Sequence, residues 1–267
     1  PGPKHVILRQ GWATGELLVV LEAPASWPGG TALAEELAQR FPHLVGVVAL
    51  PARGGDRVEG LDPGEEPLAF TIFGRHYLEE RLGGFRFHIA ATTFFQVNSA
   101  QAEILYNQAA AFAGLQGGEE VLDAYCGSGV IALWLSRQAG RITGVEVVAG
   151  AIADARRNAI LNNITNTWFR VGAAEAVLPR LAREGYRPEV VVLDPPRAGC
   201  DCRVLAAVAA MEPRRVVYVS CNPATLARDL AYLQKAGFTS GPVQPVDMFP
   251  HTYHVECVVS LKRKPIP

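Results

Sequence analysis

The segment VSCNPATLARD, residues 219–229, ends the β-like run Val216–Ser220 with a thiol and then halts it at Asn222 and Pro223. A ligand can reach a thiol at a strand tip, and its thiolate is a nucleophile. Cysteine is also among the residue types most often buried as packing alone. In VVVLDPPRAG the two prolines cannot continue a ladder and fix their own φ angles, so Asp194 is held rigidly where a strand stops. In DAYCGSGVIA, Asp123 precedes Gly127 and Gly129, which let the backbone turn tightly and approach a ligand closely. Glu146, in GVEVV, ends the next strand, where a carboxylate can accept two hydrogen bonds from ribose hydroxyls. Residues 127–132 by themselves fit the dinucleotide fingerprint G-x-G-x-x-A. Asp123 argues the other way: a pyrophosphate gains nothing from a nearby carboxylate, whereas the cationic amino-acid end of S-adenosylmethionine does.

These side chains need a scaffold that brings strand ends together. From Ser99 onward, apolar strands alternate with helices. EEVLDAYC, RITGVEVV, WFRVGAAEA, PEVVVLDPP and RRVVYVSC read as strands, with helical patterns between them. Such alternation predicts a mostly parallel sheet covered on both faces, with ligands beyond the carboxyl ends of its strands. SAQAEILYNQAAAFAGL reads as a helix capped by Ser99, with Ile104, Gln108, Phe112 and Leu115 near one face. GPVQPVDMF and HVECVVSLKR have no long helix between them, which predicts an antiparallel hairpin. Residues 1–90 read as a small α+β unit. HVILRQ, GELLVVLEA and LVGVVAL are β-rich, TALAEELAQRF is helical, and PASWPGG and PARGGDRVEGLDPGEEP are turns.

Composition narrows the class. The 267 residues are 49% hydrophobic and 19% charged, so the chain is globular. No apolar run reaches membrane-span length, and the N-terminus lacks a signal-peptide pattern. The five cysteines have no CxxC spacing, which argues against a disulfide framework or a metal site and for a reducing cytoplasm. The formal charge of −1 provides no global attraction to nucleic acid, and Arg far outnumbers Lys.

With FFQVN, DAYCGSG, DPPRAG, SCNPATLARD and DMFPHTYHVE in this order, the chain resembles the RNA 5-methyluridine methyltransferases. Members of that family transfer a methyl group from S-adenosylmethionine to carbon-5 of a uracil in RNA. The resemblance spans about residues 70 to 265. It implies a Rossmann-like class I methyltransferase sheet over residues 91–267, after the small α+β domain at 1–90. It implies that Cys221 is the nucleophile and Glu256 the general base, and that Gln96, Tyr125, Glu146 and Asp194 join Asp123, Gly127 and Gly129 in the cofactor pocket. Between Val255 and Cys257, Glu256 is expected to be partly desolvated and therefore more basic. Arg197, a helix N-terminus and the cofactor's sulfonium are expected to favour the Cys221 thiolate. His254 is expected to form a structural hydrogen bond, and Phe94, Phe95 and Phe249 are candidates for stacking on bases.

FFQVNSAQAE looks closer to the ribosomal-RNA branch than to the bacterial transfer-RNA branch, so 23S ribosomal RNA is the expected partner, with no protein partner or membrane implied. Val130 and Ala173 depart from positions that are often polar in the family. Members usually carry an N-terminal RNA-binding barrel and often a four-cysteine iron–sulfur site. Neither lies in these residues, and the start PGPKHV lacks Met, so the chain is expected to be a fragment of a longer protein. Three rivals remain open: a nicotinamide-dependent oxidoreductase resting on the glycine fingerprint, an amino-methyltransferase using DPPR, and a catalytically silent RNA-binding remnant.

Overall fold

The computed structural model describes residues 2–24, 27–51 and 69–264. The turn expected at PARGGDRVEGLDPGEEP lies almost wholly outside the described residues, as does part of PASWPGG.

Strands β1 (His5–Gln10), β2 (Leu17–Glu22), β3 (Leu44–Leu50) and β4 (Phe70–Gly74) form a sheet in that order. Helix α1 (Gly30–Arg40) crosses between the parallel pair β2 and β3, and its Leu33, Ala34 and Leu37 pack on Val19, Leu21 and Val47. The other face of this sheet presents Leu18, Val20 and Val48 to a core shared with Leu105 and Ile131.

A hairpin follows, β5 (Tyr77–Leu82) and β6 (Phe85–Ala90), which the sequence reading left unassigned along with β4. Gly83 and Gly84 make its two-residue turn, both at positive φ, the geometry that matches strand twist. A Cβ on Gly83 would fall 1.9 Å from the ring of Trp134, so only glycine fits.

Helix α2 (Ser99–Ala113) differs from expectation in two ways. Its cap is Asn98, whose side chain accepts from the N–H of Gln101, and not Ser99. Its buried face is Ala102, Leu105, Tyr106 and Ala109, whereas Ile104 is exposed.

The main sheet is built from β7 (Glu120–Asp123), β8 (Arg141–Glu146), β9 (Thr167–Val171), β10 (Val190–Leu193), β11 (Arg215–Ser220), β12 (Phe238–Val246) and β13 (Glu256–Arg263). The connecting helices are α3 (Val130–Leu135), α4 (Ala149–Leu161), α5 (Ala174–Arg183), α6 (Cys202–Met211) and α7 (Pro223–Lys235). The strand order is β12-β13-β11-β10-β7-β8-β9, and β7 to β11 run parallel. Every residue of β10 is buried, because alternate side chains feed the cores on the two faces. The strand order reverses between β7 and β10, the switch point at which open sheets of this kind bind ligands.

The expected C-terminal hairpin forms, with the last strand inserted between β11 and β12 and antiparallel to both. That reversal carries Glu256, the first residue of β13, to the edge where β7, β8, β10 and β11 end. No helix among the described residues is long and apolar enough to cross a membrane.

Candidate active site

Asp123 ends β7 fully buried, and neither carboxylate oxygen has a hydrogen-bond partner among the described residues. Burial, the largest cause, pushes its carboxyl up to about 7; the nearby main-chain N–H groups of Tyr125 and Ala132 pull it partly back, and repulsion from Glu146 adds to the rise. An unpartnered buried carboxylate is costly, and a cation placed against it would relieve that cost. The chain then turns at Gly127 (φ +51°) and Gly129 (φ +82°). A Cβ on Gly127 would meet nothing within 4 Å, so that side of the loop is open. A Cβ on Gly129 would lie 2.9 Å from Ala155 Cβ and 3.1 Å from Leu133 and Phe169, so this glycine is demanded by packing. Glu146, at the end of β8, braces the loop. Its Oε2 accepts from the N–H of Gly127 at 3.2 Å and its Oε1 from that of Val148 at 2.9 Å. Each oxygen retains acceptor capacity for a hydroxyl. Tyr125 is half-buried and packs against the core on the α5–α6 side, beside Cys200.

Three further groups meet at the same edge. Ser220 of β11 pairs with Cys257 of β13, and the same register continued by one residue sets Cys221 opposite Glu256. With strand alternation of two, both side chains leave the same face. Cys221 is half-buried between β11 and α7, whose cap Asn222 accepts from the N–H of Ala224 at 3.1 Å, with Pro223 in the first turn. Glu256 is 5% exposed, and burial raises its carboxyl above the ordinary range against a smaller opposing pull from Arg197. Asp194, just beyond β10, is pushed well up by burial and then by repulsion from Glu256 and Asp123.

The Cys221 thiol is raised, by burial first and then by Glu256 and Asp194, with Arg197 a lesser opposing influence. Arg197 therefore acts on the thiol in the expected direction, but burial first, and then the two acids, outweigh that exposed cation. Among the described residues no group of three or more His, Cys, Asp or Glu side chains is placed to hold a metal ion.

Tyr106 of α2 belongs to this neighbourhood and was missed. It is buried, and its hydroxyl is raised by burial and by Asp194, Glu256 and Asp123 in turn. Its signal in the sequence was slight, since α2 is rich in alanine and Ile104 pointed to the wrong face.

Gln96 is the outlying expected residue. The segment 90–98 is held by Arg9, whose guanidinium donates to the carbonyls of Ala90, Ala91 and Thr93 at 2.5, 3.0 and 2.6 Å, and by the Thr93 hydroxyl on Asp154. There Gln96 lines a cleft of about 470 Å³ with Leu8, Trp12 and Glu80, and makes no hydrogen bond to Asp123, Glu146 or Asp194. Asn98 links this segment to the loop before β13 through Nδ2 donating to the Met248 carbonyl at 3.2 Å.

Of the three candidate stacking rings, Phe94 is 74% exposed, while Phe95 and Phe249 pack on the core. The His254 ring lies against Tyr253 at 4.2 Å and makes no side-chain hydrogen bond among the described residues; its main-chain N–H donates to Thr252 Oγ1. Val130 is buried, and Ala173 caps α5.

Comparison with known proteins places this geometry. An RNA methyltransferase of Bacillus cereus, otherwise uncharacterized, is 44% identical over 266 residues, covering 97% of this chain and 56% of the relative. One from Halalkalibacterium halodurans is 44% identical over 267 residues, with coverages of 98% and 56%. The chain thus spans little more than half the length of these relatives. The solved structure of Pyrococcus abyssi tRNA (uracil-54, C5)-methyltransferase, in complex with S-adenosyl-L-homocysteine, superposes with a TM-score of 0.76 at 28% identity, over 97% of this chain and 60% of that one. The M. jannaschii tRNA m1G37 methyltransferase, at a TM-score of 0.57 and 13% identity over 93% of this chain and 73% of that one, shares the fold alone. The family model described as tRNA (Uracil-5-)-methyltransferase matches residues 71–264, from within β4 to just past β13. With that match and relatives aligned along nearly its whole length, the chain belongs to the tRNA (uracil-5-)-methyltransferase family.

Proposed function

We propose that this chain methylates carbon-5 of a uridine in RNA, using S-adenosylmethionine, in the cytoplasm. The observation that carries the reading is the alignment of Cys221 with Glu256 across β11 and β13, beside buried Asp123 and half-buried Asp194. The cofactor fits the residues present. Asp123 offers an unpartnered carboxylate to an ammonium, and Gly127 leaves open space beside the loop. Glu146 has spare acceptors for ribose hydroxyls, and Tyr125, Gln96, Gly129 and Asp194 would complete the pocket. When bound, S-adenosylmethionine supplies an electrophilic methyl group.

The chain's own residues do the rest. Carbon-5 of uracil is a weak nucleophile. Addition of the Cys221 thiolate to carbon-6 pushes electrons toward the carbon-4 carbonyl and makes carbon-5 nucleophilic. Once carbon-5 carries the methyl group, Glu256 takes its remaining proton. The electron pair re-forms the carbon-5–carbon-6 double bond, and Cys221 leaves as thiolate. A carboxylate made more basic by burial suits that step. The target base must be flipped out of any stack, at a cost of a few kcal/mol. All the residues named fall within 91–267, the segment we take as the methyltransferase domain, with 1–90 as a small α+β domain packed on it through a shared core.

The FFQVNSAQAE segment favours 23S ribosomal RNA as substrate. A second reading, transfer RNA, is favoured by the extent of the match to the P. abyssi enzyme. Mapping 5-methyluridine in both RNAs from cells with and without the gene decides between them. Loss from ribosomal RNA supports the first, loss from transfer RNA the second, and loss from neither refutes both.

A further inference from the structure

Arg228 and Asp229 close the segment that begins at Cys221, and the chemistry above uses neither. Asp229 is fully buried on α7. Its Oδ2 accepts from the Tyr218 hydroxyl of β11 at 2.5 Å and from the main-chain N–H of Cys200 at 2.7 Å. Its Oδ1 accepts from Arg228 Nε at 2.8 Å. Arg228 Nη2 in turn donates to the carbonyls of Ala198 and Cys200 at 3.0 and 3.2 Å. Nearer the helix start, Asn222 Nδ2 and Thr225 Oγ1 both donate to the carbonyl of Arg197, at 3.0 and 3.3 Å. The fit is close: a Cβ on Gly199, at φ +76°, would fall 2.5 Å from Arg228 Nη2 and 2.7 Å from Asp229 Oδ2.

An irregular loop is ordinarily the least ordered part of a fold. Here the loop that starts with Asp194-Pro195-Pro196 is gripped through its own main chain by the first two turns of the helix that follows Cys221. We propose that Asp229 and Arg228 are a positioning pair that fixes Asp194 relative to the Cys221 sulfur. The proposal rests on the reading of the reaction given above. Neither residue touches the reacting atoms. Their effect passes through the loop, and a displacement of about 1 Å in such geometry costs roughly 100-fold in rate.

The two residues differ in a way that separates positioning from folding. The Arg228 side chain is 57% exposed, so its loss should leave the fold standing, whereas Asp229 is wholly interior. The test uses the full-length protein with Arg228→Ala, Arg228→Lys and Asp229→Asn, and with Val47→Ala as a destabilised control in the buried face of the other sheet. Thermal midpoint, amide hydrogen exchange of the 194–200 peptide, and single-turnover methylation with KM for RNA are measured.

Arg228→Ala should keep a near wild-type midpoint, yet exchange the loop amides roughly tenfold faster. It should lose roughly tenfold in single-turnover rate with KM for RNA within about twofold of wild type. Arg228→Lys should fail to rescue it, since an ammonium lacks the fork that spans two carbonyls and a carboxylate. Asp229→Asn should behave alike, with a lower midpoint. Val47→Ala should lower the midpoint and change neither loop exchange nor rate. If Arg228→Ala and Asp229→Asn both match Val47→Ala in exchange and rate, the positioning role is overturned. If wild-type protein makes no 5-methyluridine, the reading of the reaction falls instead, and loop exchange alone judges the pair.

Discussion

Asp123 couples stability to ligand binding, and Asp123→Asn exposes the coupling. In the folded chain its carboxyl titrates at about 7, whereas an unfolded Asp titrates near 3.8. Well below pH 3.8 both states hold the proton and the site costs nothing. As pH rises, the unfolded chain loses its proton first, so stability falls steadily until the folded group also ionises near pH 7. At 1.36 kcal/mol per tenfold change, the full cost at pH 8 is about 4 kcal/mol, and at pH 5 it is about 2 kcal/mol. An amide cannot ionise and escapes this penalty, although burying it unpartnered costs about 1–3 kcal/mol at any pH. The advantage of Asp123→Asn should therefore shrink by about 3 kcal/mol between pH 8 and pH 5, whatever the amide's own cost.

The same change removes the carboxylate that would face the cofactor's ammonium. Removing one partner of a buried charge pair costs about 2–5 kcal/mol, at least a 30-fold loss of affinity. In the wild type, binding must expel the Asp123 proton, so affinity for S-adenosylhomocysteine should rise with pH up to about 7 and then level off. Urea unfolding and calorimetric titration across that pH range measure both. An Asn variant that parallels wild-type stability at every pH and binds with undiminished affinity would refute the reasoning.

Cys221→Ala should abolish turnover and any covalent RNA adduct, while Glu256→Gln should accumulate protein linked to RNA bearing one extra methyl. A denaturing gel and intact mass report both, and activity surviving in Cys221→Ala would make the thiol mere packing. Because Glu256 and Asp194 raise the Cys221 thiol, Glu256→Gln or Asp194→Asn should speed its alkylation by iodoacetamide at pH 8, and a slower rate contradicts the electrostatics. Gly129→Ala should cost more in urea stability than Gly127→Ala, by about 1–3 kcal/mol, since both strain a positive φ but only the former meets Ala155 at 2.9 Å. Equal losses would show that the loop relaxes around the added methyl.

Much of the site could be read from the sequence because strand ends here are punctuated. Asp123 comes before glycines, Asp194 before two prolines, and Cys221 before Asn-Pro, all local signals. What escaped was set by distant partners. The hairpin at 77–90 reads as polar where Glu80 stands, yet Glu80 is buried because the N–H groups of Trp12, Ala13 and Arg81 and the Ser99 hydroxyl all donate to it. Tyr106 is buried because α2 packs against β11, β13 and Trp134, which no periodicity within α2 encodes. The approach of Asp194 and Glu256 to one thiol, which adds to the rise that burial causes, follows from strand order alone. No spacing along the chain states that β13 lies inside β12.

The placement of β13 also has a bearing on synthesis. Residues 256–263 fill a gap between β11 and β12, both of which precede them in the chain. Until those residues leave the ribosome, β11 presents an unpaired edge and Cys221 faces no Glu256. A nascent chain can therefore complete its glycine loop and its DPP loop and still lack the base. It also exposes a strand edge that invites association with other chains. The nucleophile and its proton acceptor come together only on closure of the sheet, so a chain that stalls before β13 carries a thiol without the means to release a methylated base.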